Sequence, residues 1–292
     1  MAIEHVKHWR IGEVEVARIV EVDRHKDPMD FLLPGVTPQK VLSYRWLAPH
    51  FVTPDGTMMI SFQCFVLRSQ GRQVMIDTCI GADRQREFPI FCNMKTTFLE
   101  DLAAAGYAPA KVDTVLCTHL HFDHVGWNTR LVNGRWVPTF PNARYLFGRR
   151  EYEHWEHLRR THGYHDMRHI EDSIDPILEA KLADFVEPTH RITDEVWLEP
   201  TPGHTPGHVS VHISSRGHEA VITGDMMHHP IQCALPETHG NFDMDKEAAA
   251  RTRRAFMERY QDRKALIIGS HFCDPTSGYI VRDGESWRLA LE

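Results

Sequence analysis

The chain of 292 residues lacks the usual marks of a nucleic-acid, membrane or exported protein. It has no basic run: 33 Lys and Arg stand against 40 Asp and Glu, a net charge of -7 with His neutral. Binding through phosphates wants a basic stripe, so no nucleic-acid partner is expected. No stretch of 18 apolar residues occurs, so neither a spanning helix nor a membrane partner is expected. The opening Met1-Ala2-Ile3-Glu4-His5 shows no basic segment leading into an apolar one. No secretory signal is read there, and a cytoplasmic protein is expected. The six cysteines (Cys64, Cys79, Cys92, Cys117, Cys233, Cys273) are scattered without a CxxC pair, as in a reduced chain whose thiols are mostly buried. There is no repeat at a period of 20–50 residues and no low-complexity segment.

What is present is a large apolar share, 42%, enough for a sizeable core. Residues 1–292 read as one domain. Residues 11–22 alternate apolar and polar as a strand does. Residues 24–57, rich in Pro, Gly and Asp, read as an N-terminal excursion without regular structure. Strands are expected at Met58–Arg68 and Gln73–Thr78, joined by a hairpin at Ser69–Arg72. Further strands are expected at 112–117, 144–147, 196–198, 209–213, 220–223 and 265–268, with a final hairpin over 278–289. Helices are expected at 97–105 (stopped by Gly106), 149–160, 174–185 and 246–261. Strands first, then strands alternating with helices, suggest sheets sandwiched between helices.

Histidine is abundant, at 21 residues, and its placement is more telling than its number. His119-Leu120-His121-Phe122-Asp123-His124 puts three imidazoles and a carboxylate in one short loop. Three more segments each place a lone His or Asp beside a glycine after an apolar run: Thr201-Pro202-Gly203-His204, Thr223-Gly224-Asp225 and Gly269-Ser270-His271. Each lies just past a strand end, so all can converge on one edge of a sheet sandwich. His119 and His121, two apart, reach one ion, and His204 completes its set. Asp123 and His124 serve a second ion, and His271 completes that set. Asp225 bridges with one oxygen on each. Nitrogen and oxygen donors without thiolate suit two divalent ions, Zn first, with Fe, Mn or Co tolerated.

These blocks resemble the metallo-β-lactamase superfamily. THLHFDHVGW, TPGHTPGH, ITGD and IGSH match the family's ligand blocks in order, from about Met58 to His271. The resemblance implies an αββα sandwich, two mixed β-sheets flanked by helices, with a dinuclear site. By matching positions it gives His119, His121 and His204 to one metal, Asp123, His124 and His271 to the other, and Asp225 to both. Val74-Met75-Ile76-Asp77-Thr78 resembles the family's strand before the ligand loop, so Asp77 is expected to orient a ligand. Asp225 stands where true β-lactamases carry Cys or Ser, which disfavours antibiotic hydrolysis. Length and ligand set resemble the acyl-homoserine lactonase and methyl parathion hydrolase groups. The lactonases have Tyr three residues after the bridging Asp; here His228 stands there, and GDMMHHPIQ lies closer to the second group.

The function expected is therefore hydrolysis of a small neutral ester or lactone by a metal-bridging hydroxide, with Asp123 or His228 moving the proton. Phosphotriester cleavage is the alternative within hydrolases, and a mononuclear iron sulfur-dioxygenase-like enzyme the alternative of another class. Two apolar loops, Trp46–Phe51 and Phe88–Met94, are expected to wall the substrate site or to pack elsewhere. His208 is expected to be structural. The set His154, His157, His162, His165 and His169 is expected on a solvated helix and lid. A homodimer is open.

Overall fold

The computed structural model describes residues 6–27 and 29–291. Five strands come first: β1 (Val6–Ile11), β2 (Val14–Asp27), β3 (Met58–Ser69), β4 (Arg72–Ile76) and β5 (Thr114–Leu116). A small hairpin, β6 (Thr129–Val132) and β7 (Arg135–Pro138), stands apart from the larger sheets. β8 (Arg144–Gly148) and β9 (Ala183–Val186) complete the first sheet, in the order β1-β2-β3-β4-β5-β8-β9. The second sheet runs in chain order through β10 (Val196–Pro200), β11 (Val209–Ser215), β12 (His218–Ile222), β13 (Ala265–Ile268), β14 (Ser277–Asp283) and β15 (Ser286–Ala290). Both sheets are mixed. β4, β5, β8 and β9 run parallel in the first, β12 and β13 in the second, and the other pairings are antiparallel.

The helices are α1 (Met29–Leu32), α2 (Pro38–Ser43), α3 (Phe98–Ala104), α4 (Phe122–Val125), α5 (Arg149–Thr161), α6 (Arg168–Ser173), α7 (Asp175–Glu179), α8 (Ile231–Ala234) and α9 (Lys246–Tyr260). None among the described residues is long and apolar enough to cross a membrane.

The strands read as continuous apolar runs because both their faces are covered. On β3, Phe65 and Leu67 enter the core between the sheets, while Cys64 and Val66 enter the core under α3, α5 and α6. On β13, Leu266 and Ile268 face the other sheet, while Ala265 and Ile267 pack with α8 and α9. The period-two alternation thus builds three apolar layers, helix–sheet, sheet–sheet and sheet–helix. This is the αββα sandwich expected from sequence, two mixed sheets face to face with helices outside.

Several boundaries depart from expectation. The first alternating run is two strands, because the chain reverses at Gly12-Glu13 and β2 runs on to Asp27. The excursion is not without regular structure. Thr37 caps α2 by accepting from the Lys40 amide, with Pro38 in the first turn, and Leu32, Leu33, Val36, Val41, Leu47, Phe51 and Val52 are buried in the core beneath the second sheet. The helix expected over 174–185 stops at Glu179. Lys181 turns left-handed, and Ala183–Val186 instead pairs in parallel with β8. The β3–β4 hairpin is as expected, with Gln70 and Gly71 both at positive φ, a two-residue turn that matches the strand twist.

Candidate metal centre

The four ligand-bearing segments all leave C-terminal strand ends and meet at one edge of the sandwich. His119, His121, Asp123 and His124 follow β5, His204 follows β10, Asp225 follows β12 and His271 follows β13. Two glycines let the loops approach. A Cβ on Gly224 (φ +56°) would lie 2.6 Å from the His208 ring, and one on Gly203 (φ +139°) would lie 2.2 Å from the Ala249 amide at the start of α9.

All seven candidates come together in two clusters. In the first, His204 Nε2 lies 2.8 Å from His121 Nδ1 and 3.2 Å from His119 Nε2, and the latter two atoms are 3.0 Å apart. In the second, His124 Nε2 and His271 Nε2 each lie 3.1 Å from Asp225 Oδ1 and 3.5 Å from Asp123 Oδ2. Asp225 reaches both clusters. Its Oδ2 lies 3.5 Å from His204 Nε2 and 3.7 Å from His119 Nε2.

The outer hydrogen bonds show which nitrogens point inward as lone pairs. Thr118 Oγ1 donates to the Asp77 carboxylate, an acceptor only, so it accepts from His119 Nδ1 at 3.1 Å. His204 Nδ1 donates to Asp243 Oδ1 at 3.2 Å, His124 Nδ1 to Asp77 Oδ2 at 2.9 Å, and His271 Nδ1 to the Ser61 carbonyl at 3.0 Å. Each of these four imidazoles therefore turns Nε2 inward. The lone pairs of His119 and His204 face each other, an arrangement that a cation resolves. His124 Nε2 and Asp225 Oδ1 are buried without hydrogen-bond partners. The donor set thus fits divalent metal at both clusters.

Electrostatics divide the clusters in the same way. Burial pushes His119 and His121 well below the ordinary imidazole value and His204 below it, keeping them neutral. Burial opposes charge on His124 and His271 too, but Asp225, with Asp123 beside it, raises both. Burial likewise works against ionised Asp225 and Asp123, yet the facing imidazoles hold Asp225 far below the carboxylate range and Asp123 at about 2.

Asp77 sits where the resemblance implied, orienting His124 and also accepting the Thr118 amide at 2.7 Å. It does so from the left-handed region, φ 60°, which a non-glycine residue holds only under firm constraint. His228 lies in the centre: its Nε2 is 3.3 Å from Asp225 Oδ2, and its ring stacks on His271 at 5.8 Å. His229 instead bonds the Phe51 carbonyl at 2.9 Å, away from the clusters. His208 is structural, as expected: its Nε2 accepts the Asp225 amide at 2.8 Å, and burial holds its pKa at about 3.

Both clusters open into a cavity of about 320 Å³. Its apolar wall is Phe31, Leu32, Ile60, Phe62, Phe88, Ile90, Phe91, Phe122 and Phe242. The loop 88–94 therefore supplies wall, but the run 46–51 does not: Leu47 and Phe51 are fully buried, with Phe51 packed on Phe272 and His229. The histidines of the helix and lid are not uniformly solvated either. His157 is exposed, whereas His169 is buried against Trp155 and lowered to about 4 by that burial.

Sequence reading missed three supports. Asp243 holds His204 and is itself paired with buried Arg253 at 3.2 Å. Glu151, on α5, accepts the Leu120 amide at 3.1 Å through one oxygen and the Gly207 amide at 3.0 Å through the other. It thereby ties the β5 loop to the β10 loop. Tyr164, between α5 and α6, lines the cavity.

The family described as Metallo-beta-lactamase superfamily matches residues 63–271. An N-acyl homoserine lactonase of Bacillus sp is 26% identical over 251 residues, covering 78% of this chain and 87% of that protein. One of Bacillus thuringiensis is 25% identical over 242 residues, covering 75% and 84%. Among solved structures, the dizinc quorum-quenching lactonase AidC superposes with a TM-score of 0.77 at 21% identity, covering 98% of this chain and 97% of its own. The hydrolase AbOPH superposes with a TM-score of 0.80 at 24% identity, covering 100% and 99%. These two structures share the fold.

Proposed function

The chain belongs to the metallo-β-lactamase superfamily, and from that premise we propose that it is a dinuclear metal-dependent hydrolase of small neutral lactones and esters. The observation that carries this reading is one apolar cavity opening on both ligand clusters at once. His119, His121 and His204 would hold one ion, and Asp123, His124 and His271 the other, with Asp225 shared. Bound divalent ions there, most simply zinc, supply Lewis acidity and a water acidified toward pKa ~7.

The chain's own residues do the rest. Asp225 fixes the spacing of the two clusters with one oxygen turned to each. His228 Nε2, 3.3 Å from Asp225 Oδ2, braces that carboxylate. Asp123 is on the cavity wall, where its carboxylate can hold a proton between the attacking water and the leaving oxygen. The phenylalanines exclude solvent and take an apolar ring or chain. Lys26 lines the exposed mouth and Glu87 is engaged by His165 at 2.7 Å, so the wall offers little to a polyanion. Neutral phosphotriesters fit the same wall and are the second class of substrate. A mononuclear iron oxygenase would use one cluster only and leave the buried donors of the other unmatched.

The test is elemental analysis of protein purified without chelator, joined to a substrate panel. About two ions per chain are expected, with turnover of lactones and aryl esters, weaker phosphotriester turnover and little on β-lactams. One ion per active chain, or cleavage of nucleotides or glutathione thioesters with none of the neutral substrates, overturns the reading.

A further inference from the structure

We propose that the buried Arg86–Asp172 ion pair positions the Phe88–Phe91 wall, and thereby sets the preference of the cavity for bulky apolar substrates over small ones. The inference rests on the hydrolase reading. The segment between β4 and α3 begins with Asp77 at the metal centre and carries the wall. Its stretch from Arg86 to Cys92 is closed on itself. The Arg86 amide donates to the Cys92 thiol at 3.3 Å, and the thiol donates back to the Arg86 carbonyl at 3.2 Å. Phe88, Ile90 and Phe91 are therefore tied to the Arg86 backbone. The rings of Phe88 and Phe91 in turn meet Phe122, the neighbour of Asp123, at 6.1 Å and 5.7 Å.

Two arginines fix this segment, and they hold different parts of it. Arg84 fastens the base. Its Nη2 donates to the Gly126 carbonyl and, at 2.7 Å and 2.9 Å, to the carbonyl and hydroxyl of Thr129, shortly after His124. Its Nη1 donates to Asp172 Oδ1 at 2.6 Å, and its face lies 4.1 Å over the Trp136 ring. Arg86 fastens the wall. It meets the same carboxylate as a fork, with Nη1 2.7 Å from Oδ2 and Nη2 3.1 Å from Oδ1. All three side chains belong to buried residues, and no other carboxylate pairs with either arginine among the described residues. Burial lowers Arg84 to about 10 and works against an ionised Asp172, which Arg86 and Arg84 nevertheless hold below the usual carboxylate range. Two cations thus share one anion, and neither contact can be loosened without leaving a charge dry. The other charged attachment of the wall, Glu87 to His165, lies in solvent and contributes little. A ligand no larger than acetate can sit at the clusters alone, whereas a fused ring must lie on these phenylalanines. Only the second senses a shift of the wall.

The experiment titrates zinc-loaded protein with 2-naphthylacetate, read by its fluorescence, and with acetate as competitor. Arg86→Gln keeps Arg84 and Asp172 as a balanced pair. It should weaken 2-naphthylacetate about tenfold while leaving the acetate constant and the metal content unchanged. Arg86→Lys keeps the charge but not the fork and should fall between the native chain and Arg86→Gln. His165→Ala, which cuts only the outer pair, should change the naphthyl affinity less than about twofold. In turnover, Arg86→Gln should raise KM for a naphthyl ester and leave its kcat, and both constants for a small lactone, as they are. Equal weakening of both ligands by Arg86→Gln, no weakening of either, or an effect of His165→Ala as large, overturns the proposal. If Arg86→Gln does not fold, Arg86→Lys decides by the same comparison of the two ligands. The binding arm needs no turnover, so a selective loss of 2-naphthylacetate in a chain that hydrolyses no lactone or ester refutes the hydrolase reading and leaves the role of Arg86 standing.

Discussion

The two ligand clusters sit side by side but are built on different principles. The first is three neutral imidazoles, with no carboxylate of its own and only the far oxygen of Asp225 within reach. The second has two imidazoles and two carboxylates. Their supports differ as well. His204 of the first leans on Asp243, whose charge is already answered by Arg253, whereas His124 of the second leans on Asp77, which no arginine or lysine pairs among the described residues. A divalent cation in the second cluster would meet compensating charge, and one in the first would keep most of its own. On this comparison an ion in the second cluster would be held the more tightly, and one in the first would be the stronger electrophile and the easier to remove.

Asp225→Asn tests the comparison most severely, because it removes the charge that the clusters share. Turnover should fall by at least about 100-fold, beyond the ~10- to 100-fold effect of groups one step removed from an ion, and at least one ion should be lost while the fold persists. Near-native kcat/KM in this variant would show that the clusters do not depend on a common carboxylate. A finer test pairs Asp77→Asn with Asp243→Asn and measures metal by competition with a chromophoric chelator. Each should weaken one ion by ~10- to 100-fold, the tighter one in the first variant and the looser one in the second. If both variants release the same ion, the division into two unlike clusters is wrong. The smallest effect is expected from His157→Ala and His165→Ala. His157 is exposed, the His165 side chain is 68% exposed, and neither belongs to a cluster, so metal content should match the native protein. A loss of metal on either change would extend the centre into the lid.

The candidate ligands were legible because each advertises itself locally after an apolar strand, four in one loop dense in His and Asp and three as a lone His or Asp just past a glycine. The sandwich was legible for a related reason, since runs such as Ala265–Ile268 carry no polar face. The hidden parts depend on contacts made across the chain. Asp243 becomes a partner of His204 only because the Met244 and Asp245 amides bond the carbonyls of His204 and Gly203, and nothing in its own neighbourhood signals this. Tyr164 is embedded in His, Asp and Arg residues that read as solvated, yet packing on Trp155 turns it inward. Trp46–Phe51 stayed open between wall and core because an aromatic loop serves equally well as either, and only the position of Phe272 decides between them. Residues 174–185 begin with helical spacing at Ile174, Ile177 and Leu178, but β8 captures the later residues Ala183–Val186 as a strand.

Glu151 carries a further consequence. Its two oxygens fasten Leu120, in the loop that follows β5 of the first sheet, to Gly207, in the loop between β10 and β11 of the second. Any sliding of one sheet over the other would have to tear this stitch before it could separate His119 and His121 from His204. The first cluster is thus insulated from shear in the sandwich beneath it.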